Sequence, residues 1–321
     1  MRRDVPLAPL TTLGIGGPAK FFVEAHNAKD VVEATSRDQP LLILAGGSNV
    51  LIADEGFPGL VVHLQLRGMT VDGGRITAAA GEPWDAIVAQ AVAKNWAGIE
   101  CLSGIPGSVG ATPIQNVGAY GQDVSETIVS VEAFDRVTRR MTTLSNADCE
   151  FGYRTSRFKK NDRFIVLSVT FELTPGGPPA VRYPELQKVV GNAANLQQVR
   201  DAVIAIRRKK GMVIDPNDPD TRSDGSFFMN PIVSKEVAAN LPGFPVDDRV
   251  KLSAAWLIEN AGFHKGFVHG NVGLSTKHTL AIVNRGGGTA REVLELVRKI
   301  QAEVREKFGV ELHPEPTFIG F

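Results

Sequence analysis

The segment from Leu102 to Gly121 constrains the fold of this chain more than any other stretch, because its twenty residues carry no charge and follow no periodic pattern. Its glycines and prolines interrupt both helical and alternating spacing, so we predict an irregular loop. Loops of this length are uncommon inside compact domains, and ordered ones are usually functional. Apolar residues such as Ile105, Val109 and Ile114 favour a loop packed on a core over a disordered one.

We expect a ligand at this loop, because backbone N–H groups need partners and glycines leave room for a close approach. Backbone amides of this kind hold an anionic ligand without Lys or Arg. The alternative is an irregular loop that only packs over a sheet. The residues of the segment alone do not decide between the two.

Length and charge limit the possible functions. A chain of 321 residues exceeds the usual size of one hydrophobic core, so two or three domains are expected. The 35 Lys and Arg residues balance 35 Asp and Glu residues, which argues against nucleic-acid binding as the main task. One short basic run, Arg207 to Lys210, would suit a small phosphate-bearing molecule.

Cysteine content and the N-terminus favour a cytoplasmic protein. Cys101 and Cys149 are too few for a disulfide framework, and neither stands in a metal-binding pair. The histidines show no metal-ligand spacing, so no metal site is expected. The chain begins without an apolar signal core, and no apolar run is long enough to span a bilayer. We therefore expect a cytoplasmic protein that does not bind a membrane.

Periodicity predicts a mixture of helices and strands. Apolar runs on either side of Gly46 to Asn49 predict a strand, a tight glycine turn and a second strand. Alternation from Ile128 to Leu173 predicts an antiparallel sheet. Thr289 and Glu292 form a capping box ahead of a helix that ends at Phe308. Other helices are expected at residues 28–37, 83–94, 196–209 and 252–261, with a further strand at 280–283.

The turn Gly46-Gly47-Ser48-Asn49 has the small residues and exposed amides of a phosphate-binding turn, but it lacks the lysine of a Walker A motif. It precedes the long uncharged loop by roughly sixty residues. Two glycine-rich loops without basic residues suggest one long, dinucleotide-like cofactor that is held mainly by main chain.

Three polar side chains are candidates for chemistry. Arg154 stands among aromatic residues in FGYRTSRFK, which is equally typical of a surface cation–π contact. Ser226 in GSFFMNP lacks the surroundings of an acyl nucleophile but suits a proton relay. Glu315 lies between two prolines in an otherwise apolar tail, where a capping or surface carboxylate is the alternative.

Six segments together resemble a known family. TLGIGGPA, LAGGSNVLI, CLSGIPGSVGATPIQNVGAYG, FGYRTSRFK, GSFFMNP and HPEPTFIG occur in this order over nearly the whole chain. They resemble the UDP-N-acetylenolpyruvoylglucosamine reductases (UDP-N-acetylmuramate dehydrogenases) of bacterial peptidoglycan synthesis. The resemblance implies an α+β fold with a two-part FAD-binding region of the vanillyl-alcohol-oxidase type and a C-terminal α/β substrate domain. The implied boundaries are 1–65 with the returning tail 311–321, 66–206, and 207–310.

The resemblance also implies an activity. NADPH would reduce non-covalently bound FAD, and the flavin would pass hydride to the enolpyruvyl ether of a UDP-sugar. By the same resemblance, Arg154 and Glu315 stabilise the negative charge that develops on the substrate, and Ser226 protonates the adjacent carbon. No nucleic acid, membrane or metal is implied, and a monomer is expected.

The resemblance assigns further residues to cofactor and substrate. Substrate residues would be Tyr183 on a closing loop, Lys210 or its neighbour Lys209 at the diphosphate, Asn230 and His278. Those that would bind FAD are Ala45, Gly46, Gly47, Ser48, Asn49, Val50, Ser103, Gly104, Ile105, Pro106, Gly107, Gly110, Ala111, Gln115, Asn116, Gly118, Ala119 and Tyr120.

Two other functions compete with this one. The first is an FAD-dependent oxidase of a small alcohol or sugar on the same fold. Many such enzymes attach the flavin through His or Cys, and the glycine loops offer only Cys101 at one edge. The second is a non-catalytic nucleotide-sensing module, which the presence of Arg154, Ser226 and Glu315 disfavours.

Overall fold

A computed structural model describes residues 1–37, 39–159, 161–191 and 195–321. Its contacts divide the chain into two compact units. Unit 1 contains residues 1–3, 21–46 and 59–208, and unit 2 contains residues 4–20, 47–58 and 209–321.

The described residues form six α-helices and twenty-one β-strands. The helices are α1 (Ala28–Ala34), α2 (Trp84–Ala93), α3 (Pro184–Val190), α4 (Leu196–Lys209), α5 (Ala254–Asn260) and α6 (Ala290–Phe308). The strands are β1 (Arg2–Pro6), β2 (Pro18–Ala25), β3 (Leu41–Leu44), β4 (Val50–Ile52), β5 (Phe57–Leu64), β6 (Met69–Asp72), β7 (Arg75–Ala79), β8 (Trp96–Ala97), β9 (Gly118–Ala119), β10 (Gln122–Asp123), β11 (Ile128–Asp135), β12 (Arg140–Ser145), β13 (Phe164–Glu172), β14 (Thr174–Pro175), β15 (Ile232–Val233), β16 (Gly243–Val246), β17 (Arg249–Leu252), β18 (Val268–His269), β19 (Val272–Leu274), β20 (Ile282–Asn284) and β21 (Thr317–Ile319).

Unit 1 is built on a five-stranded antiparallel sheet with the order β12-β11-β13-β7-β6. Apolar residues alternate along β13, whose inward face is fully buried at Val169 and Phe171. Helix α2 packs here through Trp84, whose ring centroid lies 5.5 Å from that of Phe171. Elsewhere in unit 1, β3 pairs in parallel with β5, from Leu41 opposite Leu60 onward. This packing gives the long loop between α2 and β11 a rigid support.

Unit 2 has smaller sheets and one long helix. Its strand orders are β15-β17-β16 and β18-β19-β20, with a separate parallel pair of β4 and β21. Helix α6 buries an apolar stripe that includes Val293, Leu296 and Ile300 against the core of this unit. The predicted capping box is confirmed, since the side chains of Thr289 and Glu292 each accept a hydrogen bond from the backbone N–H of the other.

Several predicted elements are confirmed with shifted ends. The helix predicted at 252–261 begins at Ala254, because Leu252 ends β17 and the Ser253 side chain accepts from Trp256 N. The strand predicted at 280–283 begins at Ile282, since Ala281 N bonds back to His278 O in a turn. Helix α3 and the hairpin of β16 and β17 were not predicted.

The strand, turn and strand around Gly46 are present, but they do not form a hairpin. Strand β3 pairs with β5, whereas β4 pairs with β21 from the end of the chain. Within the described parts of the chain, no helix combines the length and apolarity that crossing a bilayer requires. The same residues contain no group of three His, Cys, Asp or Glu side chains placed to hold a metal ion.

Candidate functional site

The long loop of unit 1 is ordered and is fixed at Gly104 by two helices. Gly104 N donates to Asp85 Oδ1 over 2.6 Å, and Arg207 Nε donates to Gly104 O over 3.3 Å. Asp85, in the first turn of α2, also accepts two 2.7 Å hydrogen bonds from Arg200 of α4. Burial acts to raise the pKa of Asp85, but the hydrogen bonds from Arg200 and Gly104 outweigh it and leave this pKa below its ordinary value. An ionised carboxylate therefore holds the start of the loop.

A second carboxylate holds both ends of the loop. The fully buried Glu100 accepts hydrogen bonds from Gly98 N at 2.8 Å, Ala180 N at 2.7 Å and the Gln122 side chain at 3.3 Å. Gln122 in turn accepts from Cys101 N at 2.9 Å. Residues just before the loop, just after it and in the segment leading to Tyr183 thus share one buried acid.

The two glycine-rich segments meet within unit 1. A Cβ atom placed on Gly46 would lie only 2.6 Å from the Cα of Gly107, so no larger residue fits without movement of the backbone. Ser108 is 7% exposed, and its Oγ has no hydrogen-bond partner among the residues that the structure describes. Closely apposed backbones beside an unpaired buried hydroxyl suit the binding of a phosphate or a polar ring by main chain. The residues present therefore fit a dinucleotide cofactor.

Arg154 lies against the far end of the same loop. Its guanidinium donates to Gly118 O at 2.5 Å and Asn116 O at 3.3 Å, and it lies 3.5 Å from the Asp123 carboxylate. The side chain is 20% exposed, and its guanidinium also lies 5.4 Å from the centroid of the Tyr153 ring, so the cation–π contact given as the alternative is present as well. Its backbone has φ of 53°, an uncommon left-handed conformation for a residue other than glycine.

The segment that carries Arg154 also fixes the loop through side chains. Ser156 Oγ donates to Ile114 O over 2.7 Å, and Asn116 Nδ2 donates to Gly152 O over 3.1 Å. Asn116 Oδ1 accepts from Ser125 N at 3.1 Å. The position of the arginine and the conformation of the loop are therefore mutually determined.

The two predicted tyrosines touch each other. The rings of Tyr120 and Tyr183 pack edge to face with centroids 5.6 Å apart. Burial raises the pKa of Tyr120 to about 12, so its hydroxyl keeps its proton at neutral pH. Tyr183 is 43% exposed and stands at the N-terminus of α3, which places a predicted substrate residue beside a predicted cofactor residue.

Unit 2 brings together Ser226, His278 and the backbone of Glu315. Ser226 Oγ lies 3.5 Å from His278 Nε2. Glu315 N donates to the O atom of Phe227, the neighbour of Ser226, over 2.8 Å. Two predicted catalytic residues that are far apart in sequence thus lie on adjacent backbone segments.

The glycine turn from Gly46 to Asn49 is connected to the Glu315 segment. Asn49 Nδ2 donates to Glu315 O at 3.4 Å, and Thr317 N donates to Asn49 O at 3.0 Å.

The other predicted substrate residues of unit 2 are Asn230, whose Oδ1 accepts from Ala254 N at the start of α5, and Lys210, which directly follows α4. Lys210 is half-buried and Lys209 is exposed.

The remaining predicted cofactor residues are divided between the units. Ala45 and Gly46 lie in unit 1, whereas Gly47, Ser48, Asn49 and Val50 lie in unit 2. The predicted loop residues 103–120 all lie in unit 1. Among them, Ser103 Oγ donates to Glu100 O over 2.6 Å, and Gly110 packs closely on Ala80. The others are Ile105, Pro106, Ala111, Gln115 and Ala119.

Several residues of the site were not predicted. No recognisable motif marks Asp85, Glu100, Arg200 or Ser108. The single acid just before the uncharged loop, Glu100, could still have indicated a residue that holds the loop. The fifth is Asp224, a buried carboxyl two positions before Ser226.

Comparison with known proteins shows strong similarity over the whole chain. Residues 19–142 match the family model of an FAD binding domain. Residues 216–319 match the model of the UDP-N-acetylenolpyruvoylglucosamine reductase C-terminal domain.

Relatives of nearly the same length carry the name UDP-N-acetylenolpyruvoylglucosamine reductase. The protein from Thermobifida fusca is 49% identical over 99% of this chain and 98% of the relative. The Mycobacterium tuberculosis protein is 45% identical over 98% of this chain and 94% of the relative. Among solved structures, UDP-N-acetylenolpyruvylglucosamine reductase (MurB) from Thermus caldophilus matches with a TM-score of 0.73 and 27% identity, over 99% of this chain and 98% of the other.

Proposed function

Because this chain belongs to the UDP-N-acetylenolpyruvoylglucosamine reductase family, we propose that it reduces the enolpyruvyl ether of UDP-N-acetylglucosamine to UDP-N-acetylmuramate in peptidoglycan precursor synthesis. It is an FAD-dependent oxidoreductase that uses NADPH. The predicted fold class, α+β with an FAD-binding region ahead of a C-terminal domain, is confirmed. The observation that carries the proposal is similarity to reductases through both regions and over 99% of the chain.

The alternative of an FAD-dependent oxidase is not favoured. The full-length relatives named above are reductases that act on an enolpyruvyl sugar nucleotide, and none is named an oxidase. An oxidase would be distinguished by rapid reoxidation of its reduced form by oxygen.

The predicted cofactor residues are proposed to hold FAD through the main chain of the two glycine segments. Bound FAD supplies a hydride carrier between NADPH and the enolpyruvyl group. The close approach of Gly46 and Gly107 and the unpaired Ser108 hydroxyl support this assignment. Asp85 and Glu100 keep the loop in place through its backbone N–H groups and those of its neighbours.

Each predicted catalytic residue is assigned a role by the charge that it stabilises or the proton that it carries. Arg154 is proposed to stabilise the negative charge that accumulates near the substrate carboxylate as hydride adds to the methylene carbon. Ser226 donates its hydroxyl proton to the adjacent carbon, and His278, 3.5 Å away, can return a proton to the serine. Glu315 is proposed to act protonated or hydrogen-bonded, because a free carboxylate would oppose the developing charge.

The substrate residues and domain limits remain proposals. Tyr183, Lys210, Asn230 and His278 are proposed to bind the sugar nucleotide, with Lys209 as the alternative to Lys210. We also propose a cytoplasmic monomer with functional regions 1–65 plus 311–321, 66–206 and 207–310. The half-exposed Tyr183 ring beside Tyr120 supports a role in closing over the substrate.

Absorption spectroscopy tests the proposed function directly. The purified protein should show a flavin spectrum that NADPH bleaches under anaerobic conditions and that the enolpyruvyl sugar nucleotide restores. Recovery with oxygen alone, at a rate equal to that with the sugar nucleotide, would favour the oxidase instead.

A further inference from the structure

Asp224 is a buried carboxyl two positions before Ser226. The residue is 6% exposed, and within the described ranges of the chain it forms no ion pair and its Oδ2 has no hydrogen-bond partner. Burial raises its pKa well above the ordinary value of 3.8, and the Thr12 hydroxyl only partly opposes this effect. An ionised carboxylate in this position would have to be stabilised by one neutral hydroxyl, which is a costly arrangement.

The contacts of Thr12 indicate where the proton lies. Thr12 Oγ1 is 2.7 Å from Ser223 O and 3.4 Å from Asp224 Oδ1. A hydroxyl has one proton, and the shorter contact to the Ser223 carbonyl takes it. While Thr12 donates to Ser223 O, its oxygen presents a lone pair to Asp224, so the 3.4 Å contact is attractive when the carboxyl supplies the proton. An ionised carboxylate can accept from Thr12 only if the hydroxyl turns away from Ser223 O.

Thr12 also connects this contact to the glycine turn. Its backbone N donates to Gly47 O over 2.9 Å. Gly47 is a proposed cofactor residue, and Thr12 belongs to the TLGIGGPA motif, to which no role has been assigned so far. On the other side, Gly225 has a left-handed φ of 74°, and its N donates to Ser223 Oγ at 3.3 Å. The turn that presents Ser226 is thereby fixed to the glycine turn through one threonine.

We propose that Asp224 is a neutral carboxylic acid that acts as a positioning residue for Ser226, by holding the Ser223–Ser226 turn to Gly47 through Thr12. This inference rests on the proposed role of Ser226 as the proton donor to the substrate carbon. Ionisation of Asp224 either sets lone pairs of the carboxylate and of Thr12 against each other or draws the Thr12 proton away from Ser223 O, and both outcomes weaken the contacts that hold the turn. The protonation step therefore slows as pH rises through the folded pKa of Asp224, while reduction of the flavin by NADPH is unaffected.

The groups that face Asp224 make this titration separable from others. Burial and the Thr12 hydroxyl are the influences on its ionisation, and no charged side chain in the described parts of the chain contributes. Within the Ser226 site, His278 is a second titratable group, with its Nε2 3.5 Å from Ser226 Oγ. Asp220, in the same segment, is also buried but accepts from Thr276 N at 3.1 Å and pairs with the Thr276 hydroxyl, so it serves as a matched control.

Rapid mixing of the pre-reduced holoenzyme with the enolpyruvyl sugar nucleotide tests the proposal across pH. Wild-type reoxidation should slow as pH rises through the Asp224 titration, and Asp224→Asn should remove this decline because the amide cannot ionise and still donates to Thr12. Asp220→Asn should keep the wild-type decline. A decline that is unchanged in Asp224→Asn would overturn the proposal.

Thr12 provides an independent pair of variants. Thr12→Val removes the link and should slow reoxidation about fivefold to tenfold while Asp224 is protonated, as expected for one neutral hydrogen bond, and by less at higher pH, where the wild-type link is already weakened. Thr12→Ser keeps the hydroxyl and should restore the wild-type rate, and both variants should be reduced by NADPH normally. Equal rates in Thr12→Val and Thr12→Ser would contradict the proposed link.

The apoprotein supplies a readout that needs no cofactor. A carboxyl whose pKa is raised on folding binds more protons in the folded state, so stability falls as pH rises from its ordinary value of 3.8 through the folded pKa. Asp224→Asn should remove this part of the pH dependence in urea unfolding. The same pH dependence in the variant and the wild type would overturn the proposal that Asp224 is neutral. If wild-type flavin is not reoxidised by the sugar nucleotide, the proposed function fails, whereas this measurement still decides the state of Asp224.

Discussion

At the scale of single residues, the long loop and the segment packed on it contain three unusual backbone conformations. Asn116, Tyr120 and Arg154 have φ of 47°, 50° and 53°, although none is a glycine. Each costs of the order of 1 kcal/mol or more unless the surroundings compensate. The side-chain bonds of Asn116 to Gly152 O and Ser125 N supply such compensation. Local strain and local hydrogen bonds thus set the shape of the loop together.

Asn116→Ala should therefore weaken both stability and FAD binding. The variant loses two hydrogen bonds and places alanine in a left-handed conformation, so a loss of about 2–3 kcal/mol in unfolding free energy is expected. Asn146→Ala is the control, because Asn146 also makes two side-chain hydrogen bonds to the backbone, in its case to two carbonyls, but has φ of −53°. Titration of the apoproteins with FAD should show weaker binding in Asn116→Ala alone. Equal FAD affinities in the two variants would contradict a role of the loop in cofactor binding.

Ser226→Ala tests the proposed proton donor. The variant should be reduced by NADPH at the wild-type rate, and its reoxidation by the enolpyruvyl sugar nucleotide should fall about 10²-fold to 10⁴-fold, as is typical of general acid catalysis. Stopped-flow spectroscopy separates the two half-reactions. Equal losses in both would indicate a structural defect instead.

At the scale of elements, α2 and α4 act together on the loop. Asp85 of α2 joins Arg200 and Gly104, so the first turn of one helix, the middle of another and the loop share one carboxylate. The adjacent Arg207 contacts the other side of the same peptide at Gly104 O. The packing of these two helices therefore fixes the backbone of the loop at Gly104.

Asp85→Asn should uncouple the loop from α4. The amide keeps the volume but loses the charge that pairs with Arg200, and a stability loss of about 1–2 kcal/mol is expected for a partly exposed pair. Because the folded pKa of Asp85 is lowered, its contribution is present above its ordinary value of 3.8 and is lost as pH falls below it. Urea unfolding at neutral and acidic pH should show a smaller acid-induced loss in the variant than in the wild type. An unchanged acid dependence would exclude Asp85 as its source.

The sequence predicted individual helices and strands better than it predicted which of them pair in the fold. The capping box of α6 and the proline before α2 are local, so the starts of these helices were predictable. Strands β3 and β4 were also predicted, but their pairing with β5 and β21 depends on contacts distant in sequence. The Asp85–Arg200 pair could not be predicted for the same reason, since its members are 115 positions apart.

At the scale of the whole molecule, the two cysteines report on unit 1. Cys101 and Cys149 are both fully buried, and burial raises the pKa of their thiols to about 12 and about 11. A thiol reagent should therefore label the native protein slowly, because both access and thiolate are lacking. Labelling in increasing urea should follow the unfolding of unit 1. Fast labelling without denaturant would contradict this burial.

The C-terminal strand offers a second test at this scale. Removal of Pro316 to Phe321 deletes β21 and its three register pairs with β4, so unit 2 should lose stability. Removal of Phe321 alone leaves these pairs in place and is the control. Thermal unfolding should show a lower midpoint for the longer deletion, and equal midpoints would contradict a structural role for the pair.

The pairing of Val50–Ile52 with Thr317–Ile319 also has a consequence for synthesis. Strand β4 is synthesised long before this partner, so it remains without it until Thr317–Ile319 has been made. On the ribosome, the nascent chain must therefore carry β4 with an unpaired edge until then, and a stop codon ahead of β21 leaves that edge permanently open to proteases and to other chains.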